Sequence, residues 1–104
     1  MAWILLLAAA VLEVTWALAL KEADGFTRAA PAALGVVTAI GSVVLLVIAL
    51  RELPVGTAYA VWTGLGAIGV ALAGIVLLGE SASLPRLACL ALVFSGVAGL
   101  RLLE

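Results

Sequence analysis

A chain of 104 residues that is 67% hydrophobic and only 11% charged, with a mean hydropathy of +1.42, is not an ordinary soluble domain, where charged residues make up about 25%. The net charge of −1 without a basic cluster argues against nucleic acid as a partner, and the lack of histidine argues against a protein-built transition-metal site. The single Cys89 sits in an apolar run, can form no internal disulfide, and reads as a small packing residue.

A bilayer requires about 20 mostly apolar residues per helix. Four segments meet that length: Ala2 to Leu20, Ala29 to Leu50, Val55 to Leu78 and Leu84 to Leu103. The breaks between them are short and polar, and Pro31, Pro54 and Pro85 fall at or beside a span's start, where a missing N–H costs little. The expected fold is therefore all-α and integral to the membrane, a single domain over residues 1–104 with hairpin-length connections. Ala17-Leu18-Ala19 imitates a signal-peptide cleavage site. Met1-Ala2-Trp3 supplies no positive n-region, however, so the segment reads as a retained helix.

The first span holds Glu13 with no Lys, Arg or His beside it in the apolar stretch. A charged group at the centre of a membrane helix costs roughly 2.5–3.5 kcal/mol on insertion scales, so such residues are by default functional candidates. The plainer alternative is a protonated carboxyl bonded to a neighbouring helix. Helical spacing puts Ala9, Ala10, Glu13, Trp16 and Ala17 on one face. The alanines leave room for a ligand or a close helix, and Trp16 adds a flat wall with one N–H donor. On the second span, Ser42 is an isolated hydroxyl, which either joins that site or bonds back to its own helix.

On the third span, Tyr59, Trp62, Thr63 and Gly66 share a face. An aromatic pair at this depth is either an interfacial belt or part of the site, and Trp62 lies further from the start of the span than Tyr59. Small residues at four-residue spacing let helices approach closely. Gly56, Ala60 and Gly64 form one such row, which either pairs protomers or packs within one. Ala91, Ser95 and Gly99, with Gly96 beside them, form another on the fourth span, and there a dimer interface is the expectation. Glu52 and Glu80, at the ends of spans, read as solvated boundary residues.

Four helices enclose too little volume for a transport cavity, which points to at least a dimer. Lys21, Arg28 and Arg86 fall on one side of the membrane, and Arg51 and Arg101 on the other. Orientation is normally set by a clear Lys/Arg excess. Three against two leaves it nearly undetermined, and a chain inserting both ways can form an antiparallel, dual-topology homodimer.

The stretch Gly56-Thr57-Ala58-Tyr59-Ala60-Val61-Trp62-Thr63-Gly64-Leu65-Gly66-Ala67 resembles the third-helix signature of the small multidrug resistance transporters. Gly25-Phe26-Thr27-Arg28 followed by Pro31 is similar to that family's first loop, and Glu13 occupies the position of its membrane carboxylate. Glu13-Val14-Thr15-Trp16-Ala17 resembles the guanidinium-exporter subtype; the polyaromatic-drug exporters have glycine in place of Trp16. Two features depart from the pattern: Ala10 stands where glycine is common, and Val43-Val44-Leu45-Leu46-Val47 is more uniformly aliphatic than usual.

The resemblance implies a bacterial inner-membrane antiporter in which Glu13 binds proton and substrate alternately, surrounded by Trp16, Ser42, Tyr59 and Trp62. Thr63, Gly64 and Gly66 would support that site and give the third helix its flexibility. In this reading Ser42 donates its hydroxyl and Trp16 its indole N–H to the Glu13 carboxylate. Guanidinium matches a carboxylate with paired, charge-assisted hydrogen bonds, and cation and proton compete for the same oxygens. The two Glu13 groups of a dimer would titrate as a pair. The expected partners are protons, small guanidinyl cations, the lipid bilayer and a second copy, with no cofactor and no enzymatic step. Three readings compete: export of hydrophobic quaternary ammonium drugs, a non-transporting membrane subunit, and one half of a heteromeric pair.

Overall fold

The computed structural model describes residues 1–103. Four helices follow one another, α1 (Ala2–Glu22), α2 (Ala29–Ala49), α3 (Val55–Leu78) and α4 (Leu84–Leu103), with no strand among the described residues. All four are long and apolar enough to cross a membrane. In lipid every backbone N–H and C=O must be satisfied internally, which a helix does and an open strand does not. The ends differ slightly from expectation. α1 runs two residues past Leu20, because Lys21 and Glu22 are good helix formers and nothing interrupts the chain before the left-handed turn that begins at Asp24. α2 stops one residue short of Leu50.

Local chemistry explains the turns. Asp24, Gly25 and Phe26 follow α1 with φ of 49°, 70° and 68°. Glycine adopts that region freely and aspartate tolerates it, whereas a bulky phenylalanine there is an outlier. The loop is held by the Thr27 and Arg28 amides, both donating to the Ala23 carbonyl at 2.9 and 3.1 Å. The Thr27 hydroxyl donates to the Asp24 carbonyl at 2.8 Å. Pro54 caps the start of α3 and Gly79, at φ 69°, ends it in the left-handed conformation.

In space the helices lie in the order α2, α1, α3, α4, with α1 central and α4 packed mainly along α3. The protomer is a slab of 42 × 35 × 16 Å measured on Cα atoms. A helix with its side chains is about 10–12 Å across, so the slab is too thin to surround a cation. Glycines set the close approaches. A Cβ on Gly35 would come within 2.6 Å of Leu20, one on Gly69 within 2.5 Å of Val14, and one on Gly64 within 2.8 Å of Val97. The small-residue row of α3 therefore divides: Gly64 packs against α4 inside the protomer, while Gly56 faces open space.

The main apolar cluster lies at one end of the slab. Ala2 and Leu6 of α1, Leu46 and Ala49 of α2, Leu53, Ala58 and Val61, and Val97 of α4 are buried together there. All belong to the end that carries the chain terminus and the α2–α3 connection. Arg101 adds a cation–π contact at the same end, its guanidinium carbon 5.1 Å from the Trp3 ring centre. At the opposite end Val76, Leu77 and Leu84 are exposed. α4 has Val97 as its one buried residue among those described. Ala91, Ser95 and Gly96 are exposed and Gly99 is partly so, and a Cβ on Gly96 or Gly99 would meet nothing within 4 Å.

Candidate functional site

α1 and α3 run parallel, because each enters from the same side of the layer, so contacts between them repeat turn by turn. On the first of these turns Ser42, fully buried, reaches from α2 to donate its hydroxyl to the Ala9 carbonyl of α1 at 2.6 Å. It accepts in turn from the Trp62 indole N–H of α3 at 2.9 Å. One hydroxyl thus joins three helices, and it supplies the partner of the partly buried Trp62 N–H. Tyr59 stands edge-on to Trp62, ring centres 5.6 Å apart at 64°, and is itself exposed.

One turn further along, the Glu13 carboxyl packs against the α3 backbone at Gly66. A Cβ there would collide with Glu13 Oε1 and Cδ and would lie 2.7 Å from Oε2. Gly66 is therefore a seat for the carboxyl, and no larger residue fits in this geometry. Glu13 Oε1 and Trp16 Nε1 are both shielded from solvent and have no hydrogen-bond partner. A groove of about 230 Å³, lined by Leu7, Ala10, Val11, Val14, Leu65 and Gly69, runs along the same α1–α3 contact without including the carboxylate.

The expected residues are thus partly assembled. Glu13 meets Gly66, and Ser42, Trp62 and Tyr59 form a second cluster one turn away. Two expected bonds are not made. The Ser42 hydroxyl goes neither to Glu13 nor to its own helix but across to Ala9, and the Trp16 N–H does not reach Glu13. The Ala9 carbonyl was invisible to sequence reasoning, because every residue carries one. Thr63 donates its hydroxyl to the Tyr59 carbonyl of its own helix at 2.8 Å, a supporting contact outside the cluster. Glu52 is exposed as expected. Glu80 is not a free boundary residue, since it is paired with Arg86 at 2.8 Å. No group of His, Cys, Asp or Glu among the described residues could hold a metal ion.

A model of the Small Multidrug Resistance protein family matches residues 1–93. The chain is 56% identical over 102 residues to a protein of Escherichia coli (strain K12) named Guanidinium exporter, covering 98% of this chain and 97% of that one. Proteins of the same name from Yersinia pseudotuberculosis and Salmonella typhimurium are each 55% identical over 102 residues, with 98% of this chain covered and 98% and 97% of theirs.

The chain belongs to the small multidrug resistance family. With its four membrane-length helices it is a multi-pass protein of the bacterial inner membrane, and its family is one of transporters. Membership gives the Glu13–Gly66 contact a setting: a carboxyl at mid-membrane, seated on glycine, in a protein family that moves small molecules across the bilayer.

Proposed function

We propose that this protein exports guanidinium and small guanidinyl cations in exchange for protons, as an antiparallel homodimer whose two Glu13 carboxyls form the shared site. The observation that carries the reading is Glu13 itself, seated on Gly66 with an oxygen that is out of solvent and without a partner. A buried acceptor left unsatisfied costs about 1–3 kcal/mol, so its complement comes from outside the single chain, as a proton or as a cation with N–H donors. Guanidinium supplies such donors in a plane that a carboxylate matches with two parallel hydrogen bonds. Relatives at 55% and 56% identity bearing the name Guanidinium exporter support that substrate.

Proton and cation bind the same oxygens and exclude one another. If the dimer reverses its opening only when one of them is bound, the result is coupled exchange without any chemical step. Trp16, Ser42, Tyr59 and Trp62 form the walls of the site. Ser42 acts there through its bonds to Ala9 and Trp62, which hold α1, α2 and α3 in register beneath the carboxyl.

Two observations support the dimer. The slab is too thin to close around a ligand, and the Ala91, Ser95, Gly96 and Gly99 row of α4 faces outward without a partner. The near balance of basic residues, three against two, supports insertion in both orientations. Accessibility of a C-terminal tag from both sides of the membrane is the expected result, and a single orientation for all copies would remove the antiparallel homodimer.

The test of the whole reading is transport by the purified protein in liposomes. Guanidinium should drive proton movement. Urea, which lacks the charge, should not, and tetraalkylammonium ions, which lack N–H donors, should be much poorer. A strong response to a large quaternary ammonium drug with none to guanidinium would transfer the assignment to the drug-exporter reading.

A further inference from the structure

The α3–α4 connection is bound more tightly than its length requires. After Gly79 turns the chain at φ 69°, the Glu80 amide donates to the Gly74 carbonyl at 3.2 Å. The Glu80 carboxylate then folds back onto the helix it has just left. A Cβ on Gly74 would lie 2.5 Å from Oε1 and 2.7 Å from Cδ, so the carboxylate rests where only glycine leaves space. From the first turn of α4, Arg86 donates Nη2 to Glu80 Oε1 at 2.8 Å and Nη1 to the Ser81 carbonyl at 3.1 Å. The α1–α2 connection has only a looser counterpart: Arg28 Nη1 donates to the Glu22 carbonyl at 3.3 Å and to its carboxylate at 3.5 Å, and both side chains are about 60% exposed, against 34% and 40% for Arg86 and Glu80.

This contact matters because α4 is otherwise so lightly held. Val97 against Gly64 and Arg101 over Trp3 attach its far end, and the Glu80–Arg86 pair attaches its near end. α3 carries Trp62 and Gly66, and α4 carries the outward row of small residues. We propose that Gly74, Glu80 and Arg86 form a strut that makes α3 and α4 move as one body, so that Glu80 is a positioning residue for transport. Gly66 lies eight residues before Gly74, or about 12 Å along the helix. The strut therefore touches no part of the cation site. It transmits displacement of the site-bearing helix to the surface on which the second protomer would turn. The proposal rests on the exporter reading for its transport readout and on nothing in that reading for its geometry.

The experiment compares the parent with Glu80→Gln, Gly74→Ala and the charge exchange Glu80→Arg/Arg86→Glu, each purified and reconstituted. Guanidinium turnover in liposomes and guanidinium affinity in detergent are measured separately. The α3–α4 distance is measured between spin labels at Leu77→Cys and Leu92→Cys in a Cys89→Ala background, with labelled protein diluted into unlabelled. Both sites are exposed. Glu80→Gln and Gly74→Ala should each lower turnover about two- to fivefold, the factor expected for one partly exposed ion pair, with affinity unchanged and the distance distribution broadened. The charge exchange should recover turnover in part, because the ion pair returns while a carboxylate at position 86 cannot replace the Arg86 donation to the Ser81 carbonyl. Parent-like turnover in Glu80→Gln would overturn the proposal. So would a loss of affinity matching the loss of turnover, or an unaltered distance distribution. If the parent itself moves no guanidinium, the exporter reading falls and the distance distributions alone decide the strut.

Discussion

Replacing Gly66 by alanine adds one methyl group at the position where the Glu13 carboxyl rests. That methyl would overlap Oε1 and Cδ and would approach Oε2 to 2.7 Å, so either the carboxyl leaves its seat or α1 and α3 separate. Separating the helices would break the turn below, where Ser42 joins the Ala9 carbonyl to Trp62. Rotating the carboxyl is the easier path, because only one flexible side chain moves. Overpacking of this kind costs about 1–3 kcal/mol, offset in part by about 1 kcal/mol from the better helix propensity of alanine. The protein should therefore stay folded and dimeric while its carboxylates point elsewhere. A charge-assisted hydrogen bond is worth about 1.5–3 kcal/mol, so guanidinium affinity should fall roughly 10- to 100-fold. Titration calorimetry in detergent reads that change directly. Gly56→Ala is the control, since a Cβ there meets nothing within 4 Å, and it should bind as the parent does. Parent-like affinity in a folded Gly66→Ala dimer would refute the idea that this glycine seats the carboxyl.

Glu13→Gln keeps the shape but can neither carry a proton nor pair with a cation, so it should abolish guanidinium-driven proton movement while size-exclusion chromatography still finds a dimer. If both ligands occupy the same oxygens, as proposed, adding guanidinium to the weakly buffered parent should release protons; an absence of release would separate the two sites. Ser42→Ala leaves the Trp62 N–H unpaired and removes the second hydrogen bond to the Ala9 carbonyl, which keeps its own helical partner, and should destabilise the protein by about 1–3 kcal/mol. Paired with Trp62→Phe it should cost less than the two single changes combined, as unfolding of all three variants would show. Gly96→Leu fills the outward face of α4 with a bulky side chain and should dissociate the dimer without altering the contact of Val97 with Gly64. A Gly96→Leu protein that remains dimeric would move the interface elsewhere.

The sequence by itself determined the four membrane helices and singled out Glu13, the residue on which the proposed function is built. In lipid the backbone has no partner but itself, so apolar length alone selects helices and polar breaks alone select connections. Glu13 stood out for the same reason, since a carboxyl within an apolar span is too costly to be incidental. Tertiary structure decided what each side chain meets. Small residues recur on several faces of α3 and α4, and nothing local ranks those faces, so only packing shows that Gly64 contacts Val97 within the protomer while Gly96 looks outward. Ser42 had Glu13 and its own helix as conceivable partners, yet its hydroxyl goes to the Ala9 carbonyl, a choice fixed by the rotation of α2 against α1. Glu80 read as a solvated end of a span, but the left-handed turn at Gly79 brings it back over Gly74 and within reach of Arg86. These outcomes depend on the rotation and lateral position of each helix, which many weak contacts set together and which no single stretch of sequence contains.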